Sequence, residues 1–437
     1  MQNKAFFLGI KGVGMTSLAL CMQEAGWQVS GSDSEESFIT DDILASKNII
    51  VSSLDSPIPE KTDLLVYSAA YSPPSTEVRT LSLAEALAEF VKDKKVLAVA
   101  GVGGKTTTTA MLACLFQAVG RDVGYYLGTG SVAGLPAPGH SGTDPFFIVE
   151  ADEYAISKSD PRPKFALLTP QILITTNIIH DHPDIYPDES SSLAVFTDLV
   201  KSINPGGTWI CNPADPLTAQ IIKLQGPTLK GIKVVQYGSD HPLYNDLQLS
   251  VFGDQNKLDA LAAVLAALEL GLSSTEALSG ILSYRGAGRR QEFLGEVKGR
   301  LLYDDYGHHP LEIKRTIESF RKEFPGRRIV LVFESHTYSR TESLLKEFAS
   351  AIASADLPCL MPIFESAREK GLVHQITPES FSAAVASLNP ACQTLTWENA
   401  ANVIVDASRE GDLILTMGAG FVYKLHPEIA RLLSEKA

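Results

Sequence analysis

The residues with the clearest chemical potential lie in the stretch AGVGGKTTTT. Lys105 could contact the β- and γ-phosphates of a nucleotide, Thr106 could ligate Mg²⁺, and the backbone N–H groups of Gly103 and Gly104 could face an anion. The loop is shorter than the general pattern G-x-x-x-x-G-K-[ST], because Val99 stands where the first glycine would fall. Its place between an apolar strand and a helix favours a phosphate-binding loop over a turn without function.

Two polar clusters follow strands of the same segment. Carboxylates and imidazoles of this kind could complete a divalent metal site beside the phosphates. Either cluster alone would be read as a solvated strand end, and the phosphate loop favours the metal interpretation. The clusters are Glu150, Asp152 and Glu153 in VEADE, and His180, Asp181, His182 and Asp184 in TTNIIHDHPDIY.

A glycine turn follows the first apolar strand, in the sequence GIKGVG. Gly12 and Gly14 could let the backbone approach a pyrophosphate, and Asp33, 19 residues further on, could hold a sugar hydroxyl. A tight turn without a ligand stays open as an alternative. Ser17 stands where a nicotinamide-binding fingerprint has its third glycine, which disfavours a dehydrogenase.

Two further groups of polar residues occur late in the chain. The histidines could be ligands, bases or hydrogen-bonding positioners, and no cysteine joins them to suggest zinc. The arginine is a candidate for binding a carboxylate through two hydrogen bonds. The groups are Asp304, Asp305, His308 and His309 in YDDYGHHP, and His336 and Arg340 in FESHTYSRT.

Length and composition restrict the class of protein. The chain has 437 residues, enough for two or three domains. A formal net charge of -14 argues against non-specific nucleic-acid binding. Five scattered cysteines indicate neither a disulfide framework nor a zinc site, and no apolar run approaches the roughly 18 residues of a membrane span. The N-terminus is typical of a strand rather than a signal peptide, so we expect a cytoplasmic protein.

The elements that must position these residues are short apolar strands alternating with helices, which predict parallel α/β sheets. The strands tend to end in polar residues or glycine, where open α/β sheets bind ligands. A helix is expected over residues 80–95, TLSLAEALAEFVKDKK, because helix formers dominate it and it ends in basic residues. The whole chain predicts three α/β units in tandem.

At this point the sequence resembles the Mur ligase family over essentially its whole length. The motifs that carry the resemblance occur in order: GIKGVGM, VSGSD, AGVGGKTTT, VEADE, TNIIHDHPDIY, GDQNKLDALAA, GAGRR, YDDYGHHPLEI, SHTYSRT and LTMGAG. The resemblance implies three tandem α/β domains. They are a Rossmann-like UDP-sugar-binding domain over residues 1–94, a central P-loop ATPase domain over 95–295, and a Rossmann-like amino-acid-binding domain over 296–437.

The resemblance also implies a reaction in peptidoglycan precursor synthesis. An ATP-dependent ligase would join L-alanine to UDP-N-acetylmuramate through an acyl phosphate, with Mg²⁺ or Mn²⁺ as the metal. The partners would be small molecules, with no nucleic acid and no membrane, and the protein a monomer or homodimer. Two alternatives stay open: a recycling ligase that adds a murein tripeptide to the same sugar nucleotide, and a nucleotide-regulated binding protein without ligase activity.

Site residues follow from the resemblance, position by position. The implied catalytic residues are Lys105, His182 and His308, and the implied metal ligands are Thr106, Glu150 and His182. The implied binding residues are Gly12, Gly14 and Asp33 for the UDP-sugar; Gly101, Gly103, Gly104, Lys105, Thr106, Thr107, Asn256, Arg290 and Asp305 for ATP; and Tyr306, His308, His336 and Arg340 for the amino acid.

The sequence departs from the family pattern at several of these places. Thr337 replaces the first arginine of the usual His-Arg-Tyr-x-Arg, so half of a carboxylate clamp is missing. Gln291 stands where phenylalanine is usual, and Phe421 where aspartate often follows MGAG. The reaction type is unaffected, and the identity of the incoming amino acid stays open.

Overall fold

The computed structural model describes residues 2–157, 159–181, 185–225, 229, 231–365, 369, 371 and 373–435. The chain forms two compact units. The first comprises Met1–His180, Ile185–Val251 and Gln255–Gly288, and the second comprises Asp181–Asp184, Phe252–Asp254 and Arg289–Ala437. The first unit contains two β-sheets and the second contains one.

The N-terminal sheet has five strands. Its elements are β1 (Lys4–Leu8), α1 (Val13–Glu24), β2 (Gln28–Asp33), α2 (Asp41–Ser46), β3 (Ile50–Ser53), β4 (Leu64–Tyr67), β5 (Arg79–Ser82) and α3 (Leu83–Phe90). The strand order is β3-β2-β1-β4-β5, and every neighbouring pair is parallel. The order reverses between β1 and β4, so the glycine turn that follows β1 lies where such sheets bind ligands.

The middle sheet has seven strands. Its elements are β6 (Lys95–Ala100), α4 (Lys105–Ala118), β7 (Gly124–Tyr126), β8 (Gly139–His140), β9 (Phe146–Glu150), a 3₁₀ helix (Lys164–Leu167), β10 (Pro170–Thr175), α5 (Glu189–Lys201), β11 (Thr208–Cys211), α6 (Pro216–Gln225), β12 (Lys233–Gln236), a second 3₁₀ helix (Pro242–Tyr244), α7 (Asp254–Glu269) and α8 (Ser274–Ile281). The order is β12-β11-β10-β6-β9-β7-β8, and only β7 and β8 pair antiparallel. The Gly-Lys-Thr loop therefore leaves a central strand.

The C-terminal sheet has six strands. Its elements are β13 (Glu292–Val297), β14 (Arg300–Asp305), α9 (Pro310–Glu323), β15 (Ile329–Phe333), α10 (Tyr338–Ser343), α11 (Leu345–Ile352), β16 (Leu357–Leu360), α12 (Pro378–Ala386), β17 (Gln393–Thr394), α13 (Ala400–Ala407), β18 (Leu413–Met417), a third 3₁₀ helix (Val422–Leu425) and α14 (His426–Glu435). The order is β13-β14-β18-β15-β16-β17, with β13 antiparallel to β14 at the edge. The expected class, three α/β domains built on mostly parallel sheets, is confirmed.

Burial explains the composition of the central elements. β6 and β15 are apolar over nearly their whole length because both faces of a parallel sheet are covered. Helix α4 is buried from Thr106 to Phe116, and an enclosed helix needs apolar or small side chains all round. The run Thr106–Thr109 at its start, unusual on helix propensity, is therefore packed in the interior.

The helix expected over residues 80–95 is shorter than the sequence suggested. Residues 79–82 form β5, which pairs with β4, and α3 begins only at Leu83. Ser82 accepts a hydrogen bond from the Glu85 N–H, and the Glu85 carboxylate accepts one from the Ser82 N–H. This capping box fixes the start of the helix. Among the described residues, no helix combines the length and the apolar character that crossing a membrane requires.

Candidate active site

The Gly-Lys-Thr loop joins β6 to α4 through backbone conformations that suit glycine. Gly101 has φ +132° and Gly104 has φ +86°. A Cβ at Gly104 would also lie 2.6 Å from Oδ1 of Asp259, a residue of α7 that packs against this loop. Both positions therefore need glycine, for backbone conformation and for space.

The residues after β10 hold this loop in place. The Gly103 N–H donates to Asn177 Oδ1 at 3.0 Å, and the Asn177 amide donates back to the Gly103 carbonyl at 2.7 Å. The Thr176 hydroxyl donates to the same carbonyl at 2.6 Å. The sequence predicted that the Gly103 N–H faces an anion. In this arrangement it faces an asparagine side chain instead.

Lys105 contacts a carboxylate inside the first unit. Its Nζ atom donates to both carboxylate oxygens of Glu153, at 2.9 and 2.8 Å, and to the Gly101 carbonyl at 2.5 Å. Burial favours the neutral amine, but the charges of Glu153, Asp152 and Glu150 outweigh it and raise the pKa of Lys105. The lysine therefore stays positively charged at the start of α4, after the loop that follows β6.

Thr106 and Glu150 lie side by side at the ends of neighbouring elements. The Thr106 hydroxyl donates to Glu150 Oε1 at 2.7 Å, and the Gly128 N–H donates to Glu150 Oε2 at 2.7 Å. Thr107 is buried in the first turn of α4. His182, the other predicted metal ligand, lies outside the described residues, and within them no group of three or more potential ligands converges.

The N-terminal glycine turn is organised by Asp33, at the end of β2. The carboxylate of this buried residue accepts hydrogen bonds from the Lys11 N–H at 2.7 Å, the Ser34 N–H at 2.8 Å and the Tyr71 hydroxyl at 3.1 Å. Burial and the Asp33 charge raise the pKa of Tyr71 to about 12. Gly12 is the N-cap of α1. In this arrangement, Asp33 uses its carboxylate to fix the turn.

A cavity of about 530 Å³ lies beside this turn, and sequence reasoning missed it. It is lined by Tyr71 and Phe6 and by prolines, aliphatic side chains and serine and threonine hydroxyls. Much of its lining comes from the loops SPIPE and YSPPST, and the rest from residues in or next to β1, β2, β3 and β4. Gly14 is not among the residues that line this cavity. It packs against Tyr126, since a Cβ at Gly14 would collide with the Tyr126 hydroxyl.

In the second unit, Asp304 and Asp305 end β14 with different roles. Asp304 forms a buried ion pair with Arg289, with Nε to Oδ2 at 2.8 Å. Asp305 accepts N–H hydrogen bonds from Gly307 and Gln291, at 2.7 and 2.9 Å. Burial raises the pKa of Asp305 to about 6, although the Arg290 charge opposes it. The predicted turn thus contains one acid, Asp304, that is held in an ion pair, and a second, Asp305, whose pKa is raised to about 6.

The predicted amino-acid residues of this unit lie near one another. The Tyr306 and His308 rings are 5.6 Å apart, and the His308 and His336 rings 6.3 Å apart. His336 stacks on Phe364 at 4.9 Å, and the Arg290 guanidinium lies 4.9 Å from the centre of the Tyr306 ring. Asn256, predicted to bind adenine, lies in the first turn of α7 in the first unit.

Arg340 contacts a carboxylate within its own unit. Its Nε atom lies 2.8 Å from Asp181 Oδ1, and both side chains are buried. Thr337, which precedes α10, has φ +75° and serves as the N-cap of the helix. Sequence reasoning named Asp181 and Glu153 only as members of polar clusters, because spacing does not show which cation a carboxylate faces.

A further acid was missed altogether. Glu334, directly after β15, is buried and accepts a hydrogen bond from the Val422 N–H at 2.8 Å. Burial raises the pKa of Glu334 to about 7. It holds the loop that follows β18, which contains the sequence MGAG. A lone acid next to an apolar strand gives little signal in the sequence.

Comparison with known proteins adds to this geometry. Three family profiles match in order: "Mur ligase family, catalytic domain" over residues 4–95, "Mur ligase middle domain" over 99–267, and "Mur ligase, glutamate ligase domain" over 289–420. A curated UDP-N-acetylmuramate–L-alanine ligase of Desulfitobacterium hafniense is 33% identical over 96% of this chain and 97% of its own. The chain belongs to the Mur ligase family. Membership confirms the expected enzyme class, an ATP-dependent amide-forming ligase.

Solved structures of this family share the fold. The UDP-N-acetylmuramate-alanine ligase MurC of Thermotoga maritima superposes with a TM-score of 0.75 at 21% identity, covering 99% of this chain and all of that one. The murein peptide ligase of Psychrobacter arcticus gives 0.73 at 23% identity, covering 100% and 99%. At these identities the likeness concerns the fold alone. The assigned roles of individual residues, the domain boundaries and the cytoplasmic location remain predictions.

Proposed function

We propose that this Mur ligase joins L-alanine to UDP-N-acetylmuramate with hydrolysis of ATP to ADP and phosphate. The observation that carries the proposal is the convergence of Lys105, Thr106 and Glu150 at the carboxyl ends of β6 and β9. A lysine that stays charged, beside two oxygen ligands, suits a phosphoryl-transfer site. Full-length similarity to curated ligases of this activity supports the choice of substrates.

The first step would activate the sugar. A carboxylate oxygen of the muramyl group attacks the γ-phosphorus of ATP, the bond from that phosphorus to the bridging oxygen breaks, and ADP leaves. The product is an acyl phosphate. Lys105 would exchange Glu153 for the phosphates and offset the charge of the transferring group. We place the UDP portion at the cavity beside Tyr71 and Asp33, whose lining offers an aromatic face and several hydroxyls.

The donor set fits magnesium. The Thr106 hydroxyl and the Glu150 carboxylate are adjacent oxygen ligands, which hard divalent cations prefer. Thr106, Glu150 and, from sequence, His182 would hold Mg²⁺ or Mn²⁺. The metal would supply charge neutralisation on the phosphates. Asn256 would contact the adenine, and Arg290 and Asp305 the rest of the nucleotide.

The second step would form the amide. The amine of the amino acid attacks the acyl carbon, the carbon–oxygen bond to phosphate breaks, and inorganic phosphate leaves. The attacking nitrogen must lose a proton, and His308 would accept it. Glu312 lies near this imidazole, with Nδ1 to Oε2 at 3.8 Å. Tyr306 and His336 would complete the pocket around the amine.

The test is a measurement of ADP release and product mass for the full chain with ATP, Mg²⁺ and UDP-N-acetylmuramate. We expect release to require L-alanine and the product to contain one added alanyl group. Activity only with the tripeptide L-alanyl-γ-D-glutamyl-meso-diaminopimelate would instead identify a recycling ligase. Nucleotide binding without ADP release under any combination would identify a binding protein.

A further inference from the structure

Arg340 and Asp181 form one of the most enclosed ion pairs in the described part of the chain. The Arg340 Nε atom lies 2.8 Å from Asp181 Oδ1, and Nη2 lies 3.4 Å from Oδ2. The two side chains are 4% and 2% exposed. Both residues belong to the second unit. One edge of the guanidinium is thus matched to both oxygens of an internal carboxylate.

The same guanidinium reaches the backbone of the turn before α10. Its Nη1 atom donates to the His336 carbonyl at 3.3 Å. The next residue, Thr337, has the rare φ of +75°, and its N–H donates to the Phe364 carbonyl at 3.0 Å. A β-branched residue keeps such a conformation only where the surroundings hold it. Arg340 is one of the groups that hold this turn.

From these contacts we infer that Arg340 is a positioning residue, with Asp181 as its permanent counter-ion, and does not hold the carboxylate of the incoming amino acid. The inference rests on the proposed ligase function for what it says about the substrate. If Arg340 turned to a substrate carboxylate, it would give up a buried ion pair that it makes with both oxygens of Asp181, which is strongly unfavourable. A substrate carboxylate at the same edge would also lie beside the charge of Asp181 and be repelled by it.

The role assigned to Arg340 is to place His336. The His336 ring stacks on Phe364 and lies 6.3 Å from the His308 ring. Loss of the guanidinium would let the turn relax and shift this imidazole, without removing a ligand of the amino-acid carboxylate. Small displacements of this kind lower the rate of the chemical step.

Steady-state kinetics separate this role from that of a carboxylate clamp. We expect Arg340→Lys and Asp181→Asn each to lower kcat on the order of tenfold to a hundredfold, and to leave KM for L-alanine within about threefold of the wild type. Arg431→Lys, on the exposed face of α14, is the matched control and should change neither constant. A selective rise in KM for L-alanine in Arg340→Lys, with Asp181→Asn silent, would overturn the inference.

Urea unfolding gives a readout that does not need activity. We expect the double variant Asp181→Asn/Arg340→Gln to have a higher urea midpoint than Asp181→Asn or Arg340→Gln alone, because each of these single variants keeps one charge of the pair and removes the other. Strictly additive midpoints would contradict a permanent pair. If the wild type ligates no amino acid, the proposed function fails and this cycle alone decides the pairing. If the single variants do not fold but the double variant does, the pairing is supported.

Discussion

Lys105 in the first unit and Arg340 in the second each contact an internal carboxylate, and the two pairs differ in geometry and enclosure. The Lys105 side chain is 13% exposed and shares its ammonium between Glu153 and two loop carbonyls. Arg340 is 4% exposed and presents a planar fork to Asp181. A lysine is a point charge on a flexible stem and can change partner, whereas an arginine fork matched to a carboxylate is held in one orientation. The first pair suits exchange with phosphate, and the second suits a fixed support.

The largest effect is expected at the exchangeable pair. Lys105→Ala should lower ADP release by a factor on the order of a thousand or more, because the charge that faces the phosphates is lost. Glu153 would be left buried without the Lys105 cation, so the urea midpoint of unfolding should fall. The fold itself should persist. Coupled ADP-release kinetics and circular dichroism check this prediction.

Two variants make that result specific. Lys223→Ala changes an exposed lysine of α6 and should leave ADP release unchanged. Adding Glu153→Gln to Lys105→Ala should restore part of the stability and none of the activity. Near-normal ADP release in a natively folded Lys105→Ala protein would remove the phosphate-loop assignment, and with it one side of the comparison.

The second prediction concerns the cation that the turn before α10 lacks. If Arg340 serves Asp181, the family arginine replaced by Thr337 is the missing carboxylate ligand. Thr337→Arg should then lower KM for L-alanine by about tenfold to a hundredfold, the value of a charged hydrogen bond of about 1.5–3 kcal/mol. KM for ATP should stay nearly unchanged. A low wild-type KM that the substitution raises would mean that another group already binds the carboxylate.

The contrast also shows what the sequence could predict. The phosphate loop was recognisable because Gly101, Gly104 and Lys105 lie within five residues of one another, and their roles depend on local backbone geometry. The three-sheet class followed from apolar runs that parallel strands require. Neither signal depends on contacts between distant residues.

The partners of the cations were not predictable in the same way. The Asp181–Arg340 pair spans 159 positions, and Lys105–Glu153 spans 48. Spacing identifies residue types that could interact, and only the folded chain decides which of several acids lies opposite a given cation. The early start expected for α3, at residue 80, was wrong for a local reason, because the capping box at Ser82 was not recognised.

A third prediction tests the buried acid beside the MGAG loop. The pKa of Glu334 is raised from 4.5 to about 7 by burial. Its carboxyl therefore contributes stability that is complete below about pH 4.5 and is lost as pH rises through 7. Glu334→Gln keeps an acceptor for the Val422 N–H and carries no charge. Its stability relative to wild type should increase between pH 5 and pH 8 by about 2 kcal/mol.

Thermal or urea unfolding across this range measures that difference. Glu296→Gln, at an exposed position of β13, is the control and should give a difference that does not depend on pH. The pKa of Asp305 is also raised, but this residue is present in both proteins. Its contribution to the pH dependence of stability therefore cancels in the comparison with wild type. A constant difference between Glu334→Gln and wild type would show that the acid does not titrate near neutrality.

The smallest predicted effect concerns the rigidity of the turn that Arg340 supports. Thr337 has φ +75° and ψ +137°, a region that glycine tolerates and a β-branched residue does not. Thr337→Gly removes that strain and keeps the backbone hydrogen bonds to Phe364 and from the Thr341 hydroxyl. The lost cap is a long one, 3.4 Å from the Arg340 N–H, and a change of cap to glycine costs only a few tenths of a kcal/mol. Relief of the strain, on the order of 1–3 kcal/mol, should exceed the lost cap and the added freedom of glycine in the unfolded chain, so net stabilisation of about 1 kcal/mol is expected.

The matched control for this prediction is Thr377→Gly, because Thr377 caps α12 in the same unit at the ordinary φ of −118°. That variant loses a cap without relief of strain, and glycine also adds freedom to the unfolded chain, so it should be destabilised. Opposite signs for the two glycine variants in urea unfolding would show that the turn before α10 is strained and held by its neighbours. Equal destabilisation of both variants would mean that the backbone at Thr337 is not strained, and Arg340 would then have no strained backbone to support. The contrast between an exchangeable lysine and a supporting arginine would in that case rest on the ion pairs alone.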